Sequence, residues 1–392
     1  MTSTDTTLPE RLRVARQSAG VTQQQAATAL GVSRPLLVAM EKGSRKVRPE
    51  ELVTLASLYR REVSDLLRPQ PPVEGIGAQF RLALPSRVDE EKLHDAIAEI
   101  ERLADDFLDL ARRSRVDLPR RYPTEFRLTE SDLAPAAEDL ALEERRRLGL
   151  GDGPVQQLRE FLEDEVGLRI FMPRLPSKIA GAIVYAEPLG GCVAVNANHP
   201  VQRRRWTLAH EYAHFLTRRD RSEVTTLGGR SNADERFADL FAADFLMPRS
   251  GVRRRFLELT RDRERGKPTV ADLFHLARAF RVSFQAMTHR LEDLALIPSG
   301  TFDKLEPRLR PAEAERTLGL SPDHESAELL PVRYRFLAVE LFTNGEITEG
   351  QLSAYLRTDR AQARDVVREL TTSNDVTGGG MPKPVRWNEP EC

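Results

Sequence analysis

The sequence is poor in cysteine, with two in 392 residues, Cys192 and Cys392. Two cysteines so far apart make no disulfide framework. It also lacks any run of about 18 apolar residues, the length a membrane-spanning helix needs. Met1 to Pro9 is polar and offers no apolar core for a secretion signal. A reducing cytoplasm is therefore the expected setting, with no membrane partner. Net charge is nearly absent too, at −1, so the chain is neither a polycation nor a polyanion. What it has is 40% hydrophobic and 30% charged residues, the balance of a soluble globular protein, and length for two or three domains.

The near-zero charge hides an asymmetry. Between Arg11 and Arg48 stand eight basic residues and one acid, Glu41. A local excess of seven positive charges suits a phosphate backbone. Residues 8–68 read as five short helices, and a Pro-rich break follows at Arg68-Pro69-Gln70-Pro71-Pro72, extended by Gly75 and Gly77. A charged helix is predicted from about Val88 to Arg113. Its apolar positions Leu93, Ile97, Ile100, Ala104, Phe107 and Ala111 make a seam on one face. That seam either packs against its own domain or forms a dimer contact.

Further on, a helix is predicted near Pro154–Glu165. A hairpin follows, with Ala182–Tyr185 and Cys192–Val195 flanking the turn Pro188-Leu189-Gly190-Gly191. Helices are expected at about 201–217, 233–246 and 270–292. A last helical segment, about 331–370, contains the turn Asn344-Gly345. The tail from Thr371 has a disordered composition. No internal repeat is evident.

The stretch Thr22-Gln23-Gln24-Gln25-Ala26-Ala27-Thr28-Ala29-Leu30-Gly31-Val32-Ser33-Arg34-Pro35-Leu36-Leu37 carries two helices and a tight turn. Thr22 can cap the first helix and Ser33 the second. Gly31 suits a positive φ between them. Pro35 lies in the first turn, where its missing N–H does no harm. Ala26, Leu30, Val32 and Leu37 supply a small core. Exposed residues at the start of the second helix, Ser33 and Arg34, then face the major groove. With the trailing Glu41-Lys42-Gly43, this resembles the XRE/Cro-type helix-turn-helix family. The resemblance implies a phosphate contact from Gln23, base or phosphate contact from Arg34, and backbone contacts from Lys42, Arg45 and Lys46. It implies a double-stranded DNA operator and a homodimer. The competing reading is a helical hairpin for protein contact.

A second motif is His210-Glu211-Tyr212-Ala213-His214 within a helical apolar pattern. Histidines at i and i+4 share one face, so both imidazoles can reach one ion. Glu211 sits beside that ion as a base for water. The chain has only seven histidines, and a chance match to this spacing is expected ~0.02 times. A third ligand is expected on the helix opened by Asn232. There Glu235 can bind the metal, and Asp239, four residues on, can fix the tautomer of a ligand histidine. Asp239 and Asp234 can equally belong to a solvated face. Two histidines and a carboxylate suit Zn²⁺, with Mn²⁺ or Fe²⁺ as substitutes.

His199 and Tyr212, near the site in sequence, can serve an oxyanion or simply pack. Asn196 ends a strand that can pair with a substrate backbone. Cys192 reads as core. His94, His275, His289 and His324 fall in no constellation. Ile347–Leu352 with Thr358-Asp359-Arg360 is faintly like a helix-turn-helix, or is ordinary helical packing.

Arg205-Trp206-Thr207-Leu208-Ala209-His210-Glu211 with His214, then Glu235, Ala238-Asp239, Phe241-Ala242 and Leu246-Met247-Pro248, resembles the ImmA/IrrE family of metallopeptidases. The resemblance covers about 135–300. It implies zinc on His210, His214 and Glu235, Glu211 as general base, and a protein substrate, typically an XRE-type repressor cleaved under stress. The chain thus reads as multidomain. An all-α helix-turn-helix domain (1–68) precedes a linker and charged helix (69–134). An α+β gluzincin-like zinc peptidase domain (135–300), a helical C-terminal region (301–370) and a tail (371–392) follow. The expected function is a DNA-binding regulator with a zinc endopeptidase. The alternatives are a non-catalytic zinc or ligand sensor, and an antitoxin-like regulator that binds a protein.

Overall fold

A computed structural model of the chain describes residues 7–371, apart from 60, 62, 68–89, 129–131, 220–222, 227–231, 262–267 and 321–326. The Pro-rich break, the side chains of Leu93 and His94, His324, and the tail beyond Thr371 lie outside the described residues.

Five helices open the chain: α1 (Leu8–Ser18), α2 (Gln23–Leu30), α3 (Arg34–Glu41), α4 (Pro49–Leu58) and α5 (Val63–Leu67). Thr22 starts α2 with a reciprocal cap. Its hydroxyl accepts from the Gln25 amide at 3.2 Å, and Gln25 Oε1 accepts from the Thr22 amide at 2.8 Å. Gly31, at φ +65°, turns the chain into α3. Ser33 does not cap α3: its side chain makes no cap bond. Pro35 removes one amide such a cap would take, and the Leu36 amide goes to the Ser33 carbonyl instead. Ala26, Leu37, Met40 and Leu55 form the core, with Leu30 and Val32 packed against it.

The rest of the molecule is built on one sheet of β1 (Arg169–Phe171), β2 (Ile179–Ala186), β3 (Gly190–Val195) and β4 (Glu223–Thr226), in the order β1-β3-β2-β4. β2 and β3 are the expected hairpin, with Ala182 opposite Ala194 and Ala186 opposite Gly190. β1 adds in parallel to β3, and β4 antiparallel to β2. Both flanking strands went unread in the sequence; at three and four residues they are too short to display a period.

Helices cover both faces. These are α6 (Glu90–Arg113), α7 (Leu133–Arg147), α8 (Leu158–Phe161, continued by a π turn), α9 (Val201–Thr217), α10 (Ala233–Leu246), α11 (Arg249–Thr260), α12 (Val270–Phe280), α13 (Phe284–Asp293), α14 (Thr301–Leu305), α15 (Pro311–Thr317), α16 (Val332–Thr343), α17 (Glu349–Leu356) and α18 (Arg360–Thr371). Strand side chains alternate between the faces. Ile170, Ile183, Val193 and Val195 join the inner core with residues of α7, α9 and α10. Phe171, Ala182, Val184, Cys192 and Ala194 join the outer core with α6, α16 and α17. Cys192 is fully buried there, and burial pushes its thiol up to about 12.

Three sequence readings are decided or changed here. The seam of α6 takes the first of its two readings and packs within its own chain. Ile97, Ile100, Ala104, Phe107 and Ala111 are buried in the outer core, and Phe107 meets Tyr334 edge-on at 5.4 Å between ring centroids. The charged helix and the C-terminal helices, expected as separate regions, therefore share one core. The apolar residues that unite them lie more than 200 positions apart, which sequence spacing does not reveal. The third change is in 270–292, which is two helices, not one. Arg281 adopts φ +55°, and the Ser283 hydroxyl caps the new start by accepting from Ala286 at 3.0 Å.

Arg61, just past α4, donates to Glu101 of α6 at 2.8 Å, with both side chains less than a tenth exposed. It joins the five-helix unit to the outer layer. Arg357 reaches the same helix from the other end of the chain, at 2.7 Å from Glu99 and 2.8 Å from Asp106.

Candidate metal centre and nucleic-acid interface

α9 runs beneath the sheet and is buried along nearly its whole length. Its histidines 210 and 214, one turn apart, bring their Nε2 atoms to 3.1 Å. α10 lies alongside. The Asn232 side chain accepts from the Glu235 amide at 2.8 Å and fixes its first turn. Arg218 at the end of α9 pairs with Asp234 at 2.7 Å, so Asp234 is not a free solvated charge. Phe237, Phe241 and Phe245 hold the remainder of α10 in the inner core. This delivers the Glu235 carboxylate to 3.3 Å from His210 Nε2 and 3.6 Å from His214 Nε2. The three ligand atoms lie within 4.8 Å of one another.

Asp239, one turn along α10, accepts from His210 Nδ1 at 3.0 Å and from Trp206 Nε1 at 3.3 Å. Trp206 was missed in the sequence, although its position four residues before His210 on the same helix carried the signal. With Nδ1 engaged by Asp239, His210 points Nε2 at Glu235 and His214. Burial disfavours a charged His210, but the hydrogen bonds from Asp239 and Glu235 override it and raise its pKa to about 10. Burial likewise works against the Asp239 carboxylate, and the His210 hydrogen bond more than offsets it, so its pKa is lowered.

Glu211 points the other way, toward the sheet. It is fully buried; among the described residues neither carboxylate oxygen makes a well-formed hydrogen bond, and the Thr225 hydroxyl is the polar side chain that assists the charged form. Burial pushes its pKa up to about 7, against the pull of His214 and His210. Gly181 on β2 gives it room: a Cβ there would stand 2.9 Å from Glu211 Oε1 and 2.5 Å from Thr207 Cγ2. The centre opens on the α10 side, where the Glu235 and Asp239 side chains are 27% and 60% exposed.

This arrangement fits a divalent cation. Two imidazole nitrogens and a carboxylate oxygen converge, and a second, fully buried carboxylate sits next to them. An uncompensated buried carboxylate is costly, and a cation beside it offsets that cost.

Other expected residues are placed elsewhere. Tyr212 faces away from the centre and donates to Glu144 at 2.5 Å, with Arg147 on its oxygen at 3.1 Å. His199 bonds the Ser177 carbonyl at 3.0 Å and tethers a loop. Asn196 is fully buried, and its amide satisfies the Leu175, Pro176 and Ile179 backbone. No capacity is left over for a substrate strand. His289 pairs with Glu292 at 3.3 Å.

In the five-helix unit, Ser33, Arg34, Lys42 and Lys46 are exposed. Gln23 is drawn into an internal chain instead. Arg34 donates to Gln23 Oε1 at 3.3 Å, Gln23 donates to Glu41 at 3.1 Å, and Glu41 holds the buried Arg16 at 2.5 Å. Arg45 is gripped by Glu51 through two bonds, at 3.1 and 2.7 Å. Glu51 also caps α4 by accepting from the Arg48 amide at 2.9 Å. The exposed basic residues of this stretch are therefore Arg34, Lys42, Lys46 and Arg48.

Two family models match the chain, one over each of these regions. One family model, a helix-turn-helix domain, matches residues 8–68. A second, the IrrE N-terminal-like domain, matches residues 163–292, the stretch that holds all three candidate ligands and Glu211. The chain joins a helix-turn-helix domain to an IrrE-like domain. No curated protein matches it in a sequence comparison. The helix-turn-helix domain points to a DNA-binding regulator, and the IrrE-like domain to a metallopeptidase-like domain. The helices of the outer layer fall outside both matched segments, apart from the sheet they cover.

Proposed function

We propose that the protein is a DNA-binding transcriptional regulator with a zinc-dependent endopeptidase domain, which cleaves a repressor protein or itself in a cytoplasmic stress response. The observation that supports this reading is Glu211: a fully buried carboxylate beside two histidines and a glutamate, with no well-formed hydrogen bond among the described residues. A domain that only senses zinc needs ligands but has no use for a buried base beside them.

His210, His214 and Glu235 would hold the ion. Zinc, when bound, supplies a Lewis acid and lowers the pKa of water to about 7. Glu211 takes the proton of the attacking water and passes it to the leaving amine. A carboxylate already poised near 7 suits both transfers. Asp239 and Trp206 keep His210 in the tautomer whose Nε2 faces the ion. The helix-turn-helix domain, as a homodimer on its operator, would raise the local concentration of the peptidase near a DNA-bound XRE-type repressor.

The test compares protein N-termini in cells that carry the wild type or Glu211→Ala, with and without DNA damage. A new N-terminus on a DNA-binding protein, or on this chain, seen only with the wild type names the substrate. If the two sets match while His210→Ala still alters target-gene expression, the domain is a sensor and the peptidase reading falls.

A further inference from the structure

The faint helix-turn-helix likeness near the C-terminus has a definite structural form. Thr348 caps α17 as Thr22 caps α2. Its hydroxyl accepts from the Gln351 amide at 3.3 Å, and Gln351 Oε1 accepts from the Thr348 amide at 2.8 Å. Both capped helices are eight residues long. Each ends on a left-handed residue nine positions after its threonine, Gly31 at φ +65° and Arg357 at φ +54°. Eleven positions after the threonine stand Ser33 and Asp359, the residues that precede α3 and α18. Asp359 caps α18 by accepting from the Gln362 amide at 2.8 Å.

Two of the buried positions coincide as well, while Tyr355, buried in α17, matches the exposed Ala29 of α2. Ala26 and Leu352 are both fully buried, and so are Leu37 and Ala363. The register holds from cap to recognition-helix core without a gap, although the residues themselves differ too much for a sequence repeat to be seen. Arg357 stands where α2 ends on glycine. Its guanidinium is spent on Glu99 and Asp106, which anchor the hairpin to α6.

α18 presents its free face to solvent. Arg360, Arg364 and Arg368 recur every fourth residue, so they form a stripe along one side. Arg364 and Arg368 have side chains 64% and 74% exposed. Arg364 is paired with Glu349 and Arg368 with Asp365, at 2.5 and 3.1 Å. Exposed pairs of this kind are weak, and a phosphate can replace the carboxylate. Arg360 occupies the position that Arg34 holds in α3, and both are exposed.

We propose that α17 and α18 form a second helix-turn-helix that binds double-stranded DNA, with α18 as its recognition helix and the Arg360–Arg364–Arg368 stripe on the phosphate backbone. It would give the chain a second DNA contact, independent of the peptidase reading.

The experiment measures fluorescence anisotropy of a labelled duplex pool of randomised sequence against the full chain over a range of salt concentrations. Arg360→Gln/Arg364→Gln/Arg368→Gln is expected to weaken binding several-fold. It should also reduce the slope of log K against log salt by about 2 to 3, the share of three phosphate contacts. Arg34→Gln/Lys42→Gln should leave residual salt-dependent binding, which the combined variant loses. Ala361→Glu, on the same exposed face, keeps every arginine and both ion pairs and should weaken binding in the same direction. Circular dichroism of each variant checks the fold. Equal affinity and equal slope for the folded triple variant and Ala361→Glu would overturn the proposal and leave the hairpin a packing or protein-contact element.

Discussion

On the inner face of the sheet, Ile183, Val193 and Val195 lie against a helix that carries two histidines and a fully buried glutamate. On the outer face, their neighbours Val184, Cys192 and Ala194 lie against Leu103, Phe107, Leu337 and Ala338. Consecutive residues of the same strands thus serve two cores of opposite character. The outer one is filled by apolar side chains and adds stability with each. The inner one gives up stability at Glu211 and Gly181 to keep a carboxylate dry and close to two imidazoles. The contrast teaches that this sheet isolates chemistry from support by its alternation alone, with no need for distance.

The contrast is open to attack at four points. Glu211→Gln keeps the shape of the inner face and removes its base. Cleavage should fall by ~10²–10⁴-fold, the range for loss of a general base, while a zinc titration shows the metal still bound. Phe107→Ala strikes the outer face alone. It should cost about 3–5 kcal/mol of stability in denaturant unfolding and leave zinc affinity per folded molecule unchanged. Zinc affinity that drops in step with stability would mean the two faces are not separable.

The third point is pH. Glu211 titrates at about 7 in the folded chain against 4.5 for an ordinary glutamate. Between those values the folded state holds a proton that the unfolded state has released. Stability of the metal-free protein should therefore fall as pH rises from 4.5 to 7, by roughly 3 kcal/mol from this group. Melting curves of wild type and Glu211→Gln should converge near pH 4.5, and the variant should be the more stable above 7. The smallest effect is expected for Gly181→Ala. Its methyl would crowd Thr207 and Glu211, costing about 1–3 kcal/mol and lowering cleavage more than zinc binding.

Much of this was legible in the sequence. The histidine pair, Glu211, Glu235 and Asp239 declared themselves through helical spacing, because four residues on a helix always share a face. The capped turn at Thr22 and Gly31 was legible for the same local reason. What stayed hidden was non-local. Nothing in the spacing of α6 says whether its seam meets a second copy or Tyr334. Gln23 and Arg45 look like free polar groups until Glu41 and Glu51 are brought beside them. The need for glycine at 181 exists only because α9 crosses beneath β2. Arg281 also escaped, since a left-handed arginine breaks a helix without the glycine or proline that would announce it.

The outer layer has a consequence for how the protein is made. Its two halves are α6, complete at residue 113, and α16 to α18, complete only at residue 371. The five-helix unit has its own core and is finished early. At a synthesis rate of about 5–20 residues per second, the helical part of the cover over the α6 seam is complete only roughly 13 to 50 seconds after α6, whereas the sheet that meets it comes earlier. During that interval, until α16 is made, the contact that Phe107 makes with Tyr334 cannot form, while the five-helix unit already has every residue of its own core. A chain that stops short of α16 would therefore keep the five-helix unit's core whole and leave the outer core without its last layer.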